Sequence, residues 1–399
     1  MSLKDAFSRA FEIIETIEGH GGQAYIVGGS VRDYLSERPI GDIDIATSLL
    51  PEQVQQIFDK VIPIGIEHGT VMVRHRSESY EVTTFRKEEG YEDYRHPDHV
   101  RFVSKIEDDL ARRDFTMNAM AMDRHGEVTD PYGGRDDLIA GKIRAVGDPR
   151  ERFEEDPLRM LRAVRFASQL QFDIEANTFE AIQQKAHLLK HIAVERVAVE
   201  TEKLYKGIGY KAGIRFMIET NLMKQLPVFR DYTAERLPVP EVRLHSWSEM
   251  LAFYLILDNG IELKDWVKQW KLSNAIKRES ETLILCMRMY INQEVSPWLL
   301  YNLPDSFIAP FVRVMKALKY LDVPGVEDIQ NRKRQLPVQD KNDITFQAQD
   351  LLRLYEGKER GPWIASTLRR IEQAVVEQRV PNDYEKIKEW VKWNPPANS

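Results

Sequence analysis

Two aspartates one residue apart, Asp42 and Asp44 in Gly-Asp-Ile-Asp-Ile-Ala, are the first residues of this chain whose type and spacing suit chemistry. Residues two apart on a strand point to one face. An extended segment here therefore sets two carboxylates side by side, with Ile43 and Ile45 anchoring the opposite face. Carboxylates that close repel one another unless a cation lies with them. Magnesium takes one or two carboxylates together with phosphate oxygens, so the pair is a platform for two-metal chemistry. A surface turn carrying the same two residues is the bland alternative. Glu81, in Tyr-Glu-Val-Thr-Thr-Phe, is either a third carboxylate near the metals or a solvated strand residue.

Upstream, Gly28-Gly29-Ser30 follows an apolar strand pattern and opens a helix pattern. Backbone N–H groups there approach a phosphate without obstruction by a Cβ. Arg32 adds a cation about one turn into the helix. No Gly-x-x-x-x-Gly-Lys-Ser/Thr segment is present, so the layout is not a P-loop. Gly207, Gly209 and Gly213 follow a helical stretch rather than a strand and read as a helix end. His187 and His191 have ligand spacing but no nearby third ligand, and read as a helix-surface pair. In Glu155-Asp156-Pro157-Leu158-Arg159, a helix starting at Asp156 gathers Arg159, Arg162 and Arg165 with it on about half its circumference. Met160, Leu161 and Val164 occupy the other side, while Leu158 and Phe166 intrude among the arginines.

The elements that must position these groups follow from periodicity. Residues 23–27, 43–46, 71–75 and 80–85 have the Val, Ile, Tyr and Thr content of short strands. Helical spacing covers 4–18, 31–36, 51–59 and 105–112, and Asp-Pro-Tyr-Gly-Gly at 130–134 predicts a turn closing a short hairpin. From about 141 onward apolar residues recur every three to four positions and no strand pattern is evident. Proline-bearing breaks near 226–240, 296–304 and 323–325 divide the helical blocks. The chain of 399 residues exceeds the roughly 250–300 that one core supports, so several domains are expected.

With 43% hydrophobic and 30% charged residues, the composition is that of a soluble globular protein, and no apolar run reaches the ~20 residues of a membrane span. The first twenty residues read as an amphipathic helix rather than a targeting peptide. Cys286 is the only cysteine, which excludes an intrachain disulfide and points to a reducing, cytoplasmic compartment. A net charge of −7 excludes a generally basic nucleic-acid binder, so RNA contact requires local patches. Candidates are Arg112-Arg113, the arginines between 150 and 165, Lys203, Lys206 and Lys211, and residues 332–334.

In succession, YIVGGSVRDYLSERPIGDIDIATS, GTVMV, YEVTTF, YEDYRHPDHVRFV and RRDFTMNAMAMD resemble the head motifs of class II tRNA nucleotidyltransferases, the CCA-adding enzymes of the polymerase-β superfamily. ERFEEDPLRMLRAVRFASQL and HIAVERV look like that family's neck, and GKERGPWIASTLRRIEQAVV is similar to its bacterial tail. The match is dense to about residue 200, loose through the middle, and legible again in the tail.

The resemblance implies an α+β protein: a polymerase-β-like head with a mixed sheet (1–140), then an elongated, all-helical neck (141–211), body (212–290) and tRNA-binding tail (291–399). It implies addition of the 3′-terminal CCA of tRNA from CTP and ATP without a nucleic-acid template. Asp42 and Asp44 would be catalytic and hold Mg²⁺, Gly29, Arg32 and Arg113 would hold the triphosphate, and Asn118 would be structural. Asp156 and Arg159 would select the base, with Glu155 orienting Arg159 and with Arg162 and Arg165 alongside in nucleotide binding. An acceptor and a donor together suit cytosine and adenine, which both present an amino donor beside a ring-nitrogen acceptor. Guanine and uracil present the reverse pattern. An i,i+3 surface salt bridge is the commoner use of Asp-x-x-Arg.

Other readings remain at this point. An A-adding relative keeps the loop at 86–100. A CC-adding relative lacks it, and poly(A) polymerases carry a basic stretch where IGIEHGTVMV stands here. An inactive RNA-binding scaffold is the alternative of another class. No His-Asp dyad of an appended phosphohydrolase is present, and no membrane or obligatory protein partner is indicated.

Overall fold

The computed structural model describes residues 3–91, 94, 99–231, 237–258 and 260–396. They fall into two compact units, Met1–Leu237 and Pro238–Ser399. The first begins with α1 (Leu3–Gly19), β1 (Ala24–Val27), α2 (Gly29–Leu35), β2 (Asp44–Thr47), α3 (Pro51–Ile57), β3 (Val61–Gly65), β4 (Thr70–His75) and β5 (Glu78–Thr84). Then come β6 (Arg86–Glu89), β7 (His99–Phe102), α4 (Ile106–Leu110), β8 (Ala121–Met122), β9 (Val128–Thr129), α5 (Gly134–Ala140) and β10 (Lys142–Ile143). It continues with α6 (Pro149–Glu155), α7 (Leu158–Leu170), β11 (Asp173–Ile174), α8 (Ala176–Lys185), α9 (Val194–Lys206) and α10 (Tyr210–Glu219).

Seven strands form one mixed sheet in the order β3-β4-β5-β2-β1-β8-β9. Only β2 and β5 run parallel; the other neighbours are antiparallel. Ile26, Ile45, Val71, Val73 and Val82 leave one face of the sheet to pack with Phe7, Ile13, Ile14 and Ile17 of α1. The three- to four-residue spacing of that α1 stripe is what makes the helix amphipathic. On the other face, Val27 and Ala46 join Phe85, Ile106, Leu110, Ala119 and Ala121. Both faces of β1 are covered, so its Ala-Tyr-Ile-Val sequence reads as an apolar run, whereas β2 opens on the charged Asp44.

The second unit is helical: α11 (Trp247–Leu257), α12 (Leu263–Gln269), α13 (Asn274–Gln293), α14 (Pro297–Asn302), α15 (Ile308–Ala317), α16 (Val326–Arg334), α17 (Ala348–Leu354), α18 (Trp363–Val376) and α19 (Tyr384–Trp393). Trp298, Phe346, Leu351, Ile371, Val375, Ile387 and Val391 form one of its cores. No described helix is long and apolar enough to cross a membrane. The α+β class is as expected, with the sheet confined to the N-terminal part.

Several local expectations are corrected. Asp42 lies ahead of β2 rather than within a strand. The β8–β9 hairpin is closed by Asp123–Glu127, where the Asp123 carboxylate accepts the N–H groups of His125 and Glu127. Residues 130–134 instead start α5: Asp130 accepts from the N–H groups of Gly134 and Arg135. The region after 141 is not free of strands, because β10 and β11 pair in parallel. The segment at 86–100, read as a polar loop between strands, begins and ends as the ribbon β6–β7. Residues 92–93 and 95–98 of it lie outside the described residues. Of the expected domain limits, 211/212 falls inside α10 and 290/291 inside α13.

Gly207 and Gly209 do flank a helix end, as the C-cap of α9 and the N-cap of α10. A Cβ on Gly207 would lie 2.0 Å from Ser168 Oγ, so the glycine lets the end of α9 close against α7.

Candidate active site

Asp44 opens β2 directly beside Val27 of β1 and Glu81 of β5. Ile45 is fully buried and Ile43 packs on the same core, so the carboxylate is held on the opposite face. Burial, reinforced by Glu81 and Asp42, pushes the Asp44 carboxyl up to about 6, with Arg113 opposing the rise. Glu81 is thus a near neighbour of the pair. Its position in register with Asp44 was not derivable from its own strand.

This concentration of carboxylate, only partly offset by Arg113, is the test of fit for a metal. The donors are hard oxygens, as magnesium or a similar divalent ion requires. Among the described residues, no group of three or more His, Cys, Asp or Glu side chains closes a site by itself. A protein contribution of two carboxylates, completed by phosphate oxygens, matches what magnesium takes in nucleotide sites.

On the β1 side of Asp44 the chain turns at Gly28, the N-cap of α2, with φ 75° and ψ −131°. A Cβ there would be 2.7 Å from Arg113 Nη1, so glycine serves both the backbone angle and the close approach. The N–H groups in the first turn of α2, including that of Gly29, have no partner within the helix. Arg113 reaches Asp109 at 3.5 Å, while its Nε is buried without a protein hydrogen-bond partner. Burial pulls its guanidinium pKa down. An under-partnered buried cation next to a glycine turn and a carboxylate cluster is suited to a polyanionic ligand.

The Arg32 guanidinium lies against Gly29, its Nη2 3.6 Å from where a Gly29 Cβ would stand, and is anchored by side chains. Its Nη1 donates to Asn118 Oδ1 (2.8 Å) and its Nε to Asp33 (2.9 Å). Asn118 in turn donates to Asp114 Oδ1 (3.0 Å), and Arg162 Nε and Nη2 both donate to Asp114 Oδ2 (2.8 and 2.6 Å). Asn118 is therefore structural in the sense expected: it joins α2 to α7. Asp114, fully enclosed by donors, has its carboxyl held down at about 2, burial opposing and Arg162 the largest lowering influence. Arg165 makes a buried ion pair with Glu200 of α9 at 2.8 Å, and burial lowers its pKa to about 10. The guanidinium carbons of Arg32, Arg162 and Arg165 lie 5.1, 5.5 and 3.9 Å from the centre of the Phe166 ring. Phe166, which intruded on the arginine side in the sequence pattern, is the ring around which those arginines gather.

At the start of α7 the expected continuous helix is broken. Asp156 is the C-cap of α6, with extended backbone, and α7 begins at Leu158 after Pro157. Proline disfavours helical backbone in the residue before it, which ends α6 there. Asp156 Oδ1 accepts the Leu158 N–H (3.0 Å), and Oδ2 accepts from Arg196 Nη2 of α9 (3.0 Å). Arg159 does not pair with Asp156; its Nη1 donates to Glu155 Oε2 at 2.6 Å. Nη1 also donates to the Arg152 carbonyl (3.2 Å) and Nη2 to that of Arg112 (3.1 Å). Of five N–H donors, Nε–H and one on Nη2 are not used in these bonds. The Asp156–Arg159 surface salt bridge is thereby excluded, and Glu155 is placed to orient Arg159.

The structure thus brings Asp42, Asp44, Gly29, Arg32 and Arg113 to one place and Asp156 with Arg159 to another. It commits Arg162 and Arg165 to protein carboxylates. Sequence reasoning missed Asp114, Arg196 and Glu200. The signal available was the acid within Arg-Arg-Asp-Phe and the charges of Val-Glu-Arg-Val-Ala-Val-Glu, residues 194–200. His187 and His191 lie in a 3₁₀ segment, and the His191 ring stacks on Tyr94 at 4.8 Å.

Residues 24–144 match the family described as the Poly A polymerase head domain, 171–232 a probable RNA and SrmB-binding site of polymerase A, and 243–391 a putative tRNA nucleotidyltransferase domain 2. The chain is 43% identical to the CCA-adding enzyme of Anoxybacillus flavithermus, over 98% of each. It is 40% identical to that of Oceanobacillus iheyensis, over 99% of each. A crystal structure of the Bacillus stearothermophilus CCA-adding enzyme in complex with CTP superposes with a TM-score of 0.86 at 36% identity, covering 98% of this chain and 97% of that one. A head whose sheet carries Asp44 beside a glycine turn, continued by helices of matching sequence throughout, places this chain in the family of CCA-adding tRNA nucleotidyltransferases.

Proposed function

We propose that this protein builds or repairs the 3′-terminal CCA of tRNA from CTP and ATP, without a nucleic-acid template and with release of pyrophosphate. The observation that carries the reading is the arrangement around Asp44: carboxylates on one side, a glycine turn with the under-partnered Arg113 on the other. Asp42 and Asp44 would hold Mg²⁺. When bound, that ion would make the RNA 3′-hydroxyl more acidic and offset charge on the phosphates. Arg113 and the first turn of α2 hold the triphosphate. The 3′-hydroxyl gives up its proton to solvent, its oxygen forms a bond to the α-phosphorus, the bond from that phosphorus to the bridging oxygen breaks, and pyrophosphate leaves with that oxygen.

Asp156 accepts from the exocyclic amino group of cytosine or adenine, and Arg159 donates to the adjacent ring nitrogen. Arg196 and Glu155 fix these two side chains. Arg32, Arg162 and Arg165 support this pocket through Asn118, Asp114 and Glu200. Residues 1–140 would work as head, 141–211 as neck, 212–290 as body and 291–399 as the tRNA-gripping tail, in the cytoplasm. The test is incorporation into tRNAs ending at the discriminator base, at C and at CC, with each nucleotide offered separately. Full CCA addition gives C, C and then A. Addition of A alone onto CC marks an A-adding enzyme, and no incorporation removes the reading.

A further inference from the structure

The carboxylate row does not end at Glu81. Across the sheet Asp44 stands opposite Glu81, Glu81 opposite Met72 of β4, and Met72 opposite Ile62 of the edge strand β3. Residues directly opposite one another share a face, so Ile62 and Met72 lie on the catalytic face. At ~4.8 Å per strand, Ile62 is roughly 14 Å from Asp44. Ile62 is 45% exposed, leaving an apolar side chain open on this face. Two residues beyond Met72 on β4, and on the same face, is the exposed Arg74, opposite Ser79.

In-line transfer fixes which side of Asp44 each substrate occupies. The attacking and leaving oxygens lie on opposite sides of the α-phosphorus. Gly28 and Arg113 stand on the β1 side, so the leaving pyrophosphate lies there. The 3′-hydroxyl then approaches over β5, β4 and β3.

We infer that Met72, Ile62 and Arg74 form the seat for the last nucleotides of the RNA strand being extended; this rests on the proposed transfer at Asp42 and Asp44. Apolar side chains pack against riboses and base faces without reading base identity, and Arg74 meets the phosphate backbone. That tolerance suits a strand whose terminal base changes at every addition. Self-pairing of the edge is a poor alternative occupant. β3 has five residues, its Pro63 lacks an N–H, and its register breaks between Pro63 and Gly65.

The experiment measures KM for RNA and for CTP, and kcat, on the full chain with Ile62→Asp and Arg74→Ala. Ile139→Asp, at an 87% exposed site on α5, is the control. Ile62→Asp is expected to raise the RNA KM about tenfold, equally for ends at the discriminator base, C and CC, with the CTP KM unchanged. Arg74→Ala is expected to reduce the slope of log KM for RNA against log salt by about 0.7; this variant also serves if Ile62→Asp does not fold. An unchanged RNA KM in an active protein, or an equal loss in Ile139→Asp, overturns the inference and leaves the proposed activity standing. So does a changed oligomeric state with RNA KM unaltered, which would mark a self-association surface. A wild-type protein that extends no RNA overturns both.

Discussion

Asp44 and Asp114 are both aspartates set into the head, and their surroundings push them in opposite directions. Burial, with carboxylates for neighbours, pushes Asp44 up to about 6; Asp114 is buried as well but is wrapped by Arg162, Asn118 and a backbone N–H, which hold it down at about 2. The first is a carboxylate cluster only partly offset by Arg113, the place proposed for a metal and a triphosphate. The second is a junction already complete, tying α2 to α7 through Asn118. Charge in a sequence motif does not distinguish the two; the partners do.

The largest expected effect breaks the comparison if it fails. Asp44→Asn or Asp42→Ala should lower incorporation of both C and A by at least about a thousandfold, with binding of tRNA nearly intact in a filter assay. Retained incorporation in both variants would mean that the incomplete carboxylate site is not where transfer occurs. Asp114→Ala should act through stability instead, because it strands Arg162 and Asn118. A loss of roughly 3 kcal/mol is expected, read from urea unfolding. Since the Asp114 carboxyl is held below its ordinary 3.8, its contribution is complete above that value and vanishes as pH falls through about 2. A wild-type stability that Asp114→Ala reproduces would show that the network is ornamental.

Selectivity comes next in size. Arg159→Ala should reduce C and A incorporation together by a factor of about 5–150, because one site serves both bases. Asp156→Asn, whose amide donates as well as accepts, should admit UTP or GTP measurably. Arg196→Ala should loosen the Asp156 orientation and give a milder form of the same defect. Independent loss of C and A would place base reading elsewhere.

The smallest effect sharpens the contrast most. The folded protein holds the Asp44 proton more tightly than the unfolded chain does, so this group lowers stability as pH rises from about 4 to 6. In metal-free buffer, Asp44→Asn should therefore raise stability by roughly 1–2 kcal/mol at pH 7.5, and by nothing near pH 3.5. An equal gain at both pH values would trace to packing rather than to charge.

The paired carboxylates, the glycine turn and the helical remainder were legible in the chain because each is a local pattern. Asp-x-Asp, Gly-Gly-Ser after an apolar strand, and three- to four-residue spacing depend on neighbours within one or two turns. The continuous helix drawn from Asp156 failed for an equally local reason: Pro157 ends α6 and sets Asp156 in a cap. Glu81 stayed ambiguous because its role depends on strand register. Pairing β5 in parallel beside β2 leaves Glu81 exposed and makes it a neighbour of Asp44 as well.

By itself, then, the sequence determined which residues carry charge, broadly where strands and helices fall, and that Asp42, Asp44, Arg113 and Arg159 stand in segments resembling one enzyme family. Only the tertiary structure decided the partners. Arg113 and Arg162 look alike in sequence, each an arginine in a basic stretch. Folding gives Arg162 two short bonds to Asp114 and leaves Arg113 Nε buried beside Gly28 with none. Whether a charge is satisfied or left open to a ligand depends on groups tens of residues away, and the electrostatic energy of a buried group is set by those few ångströms.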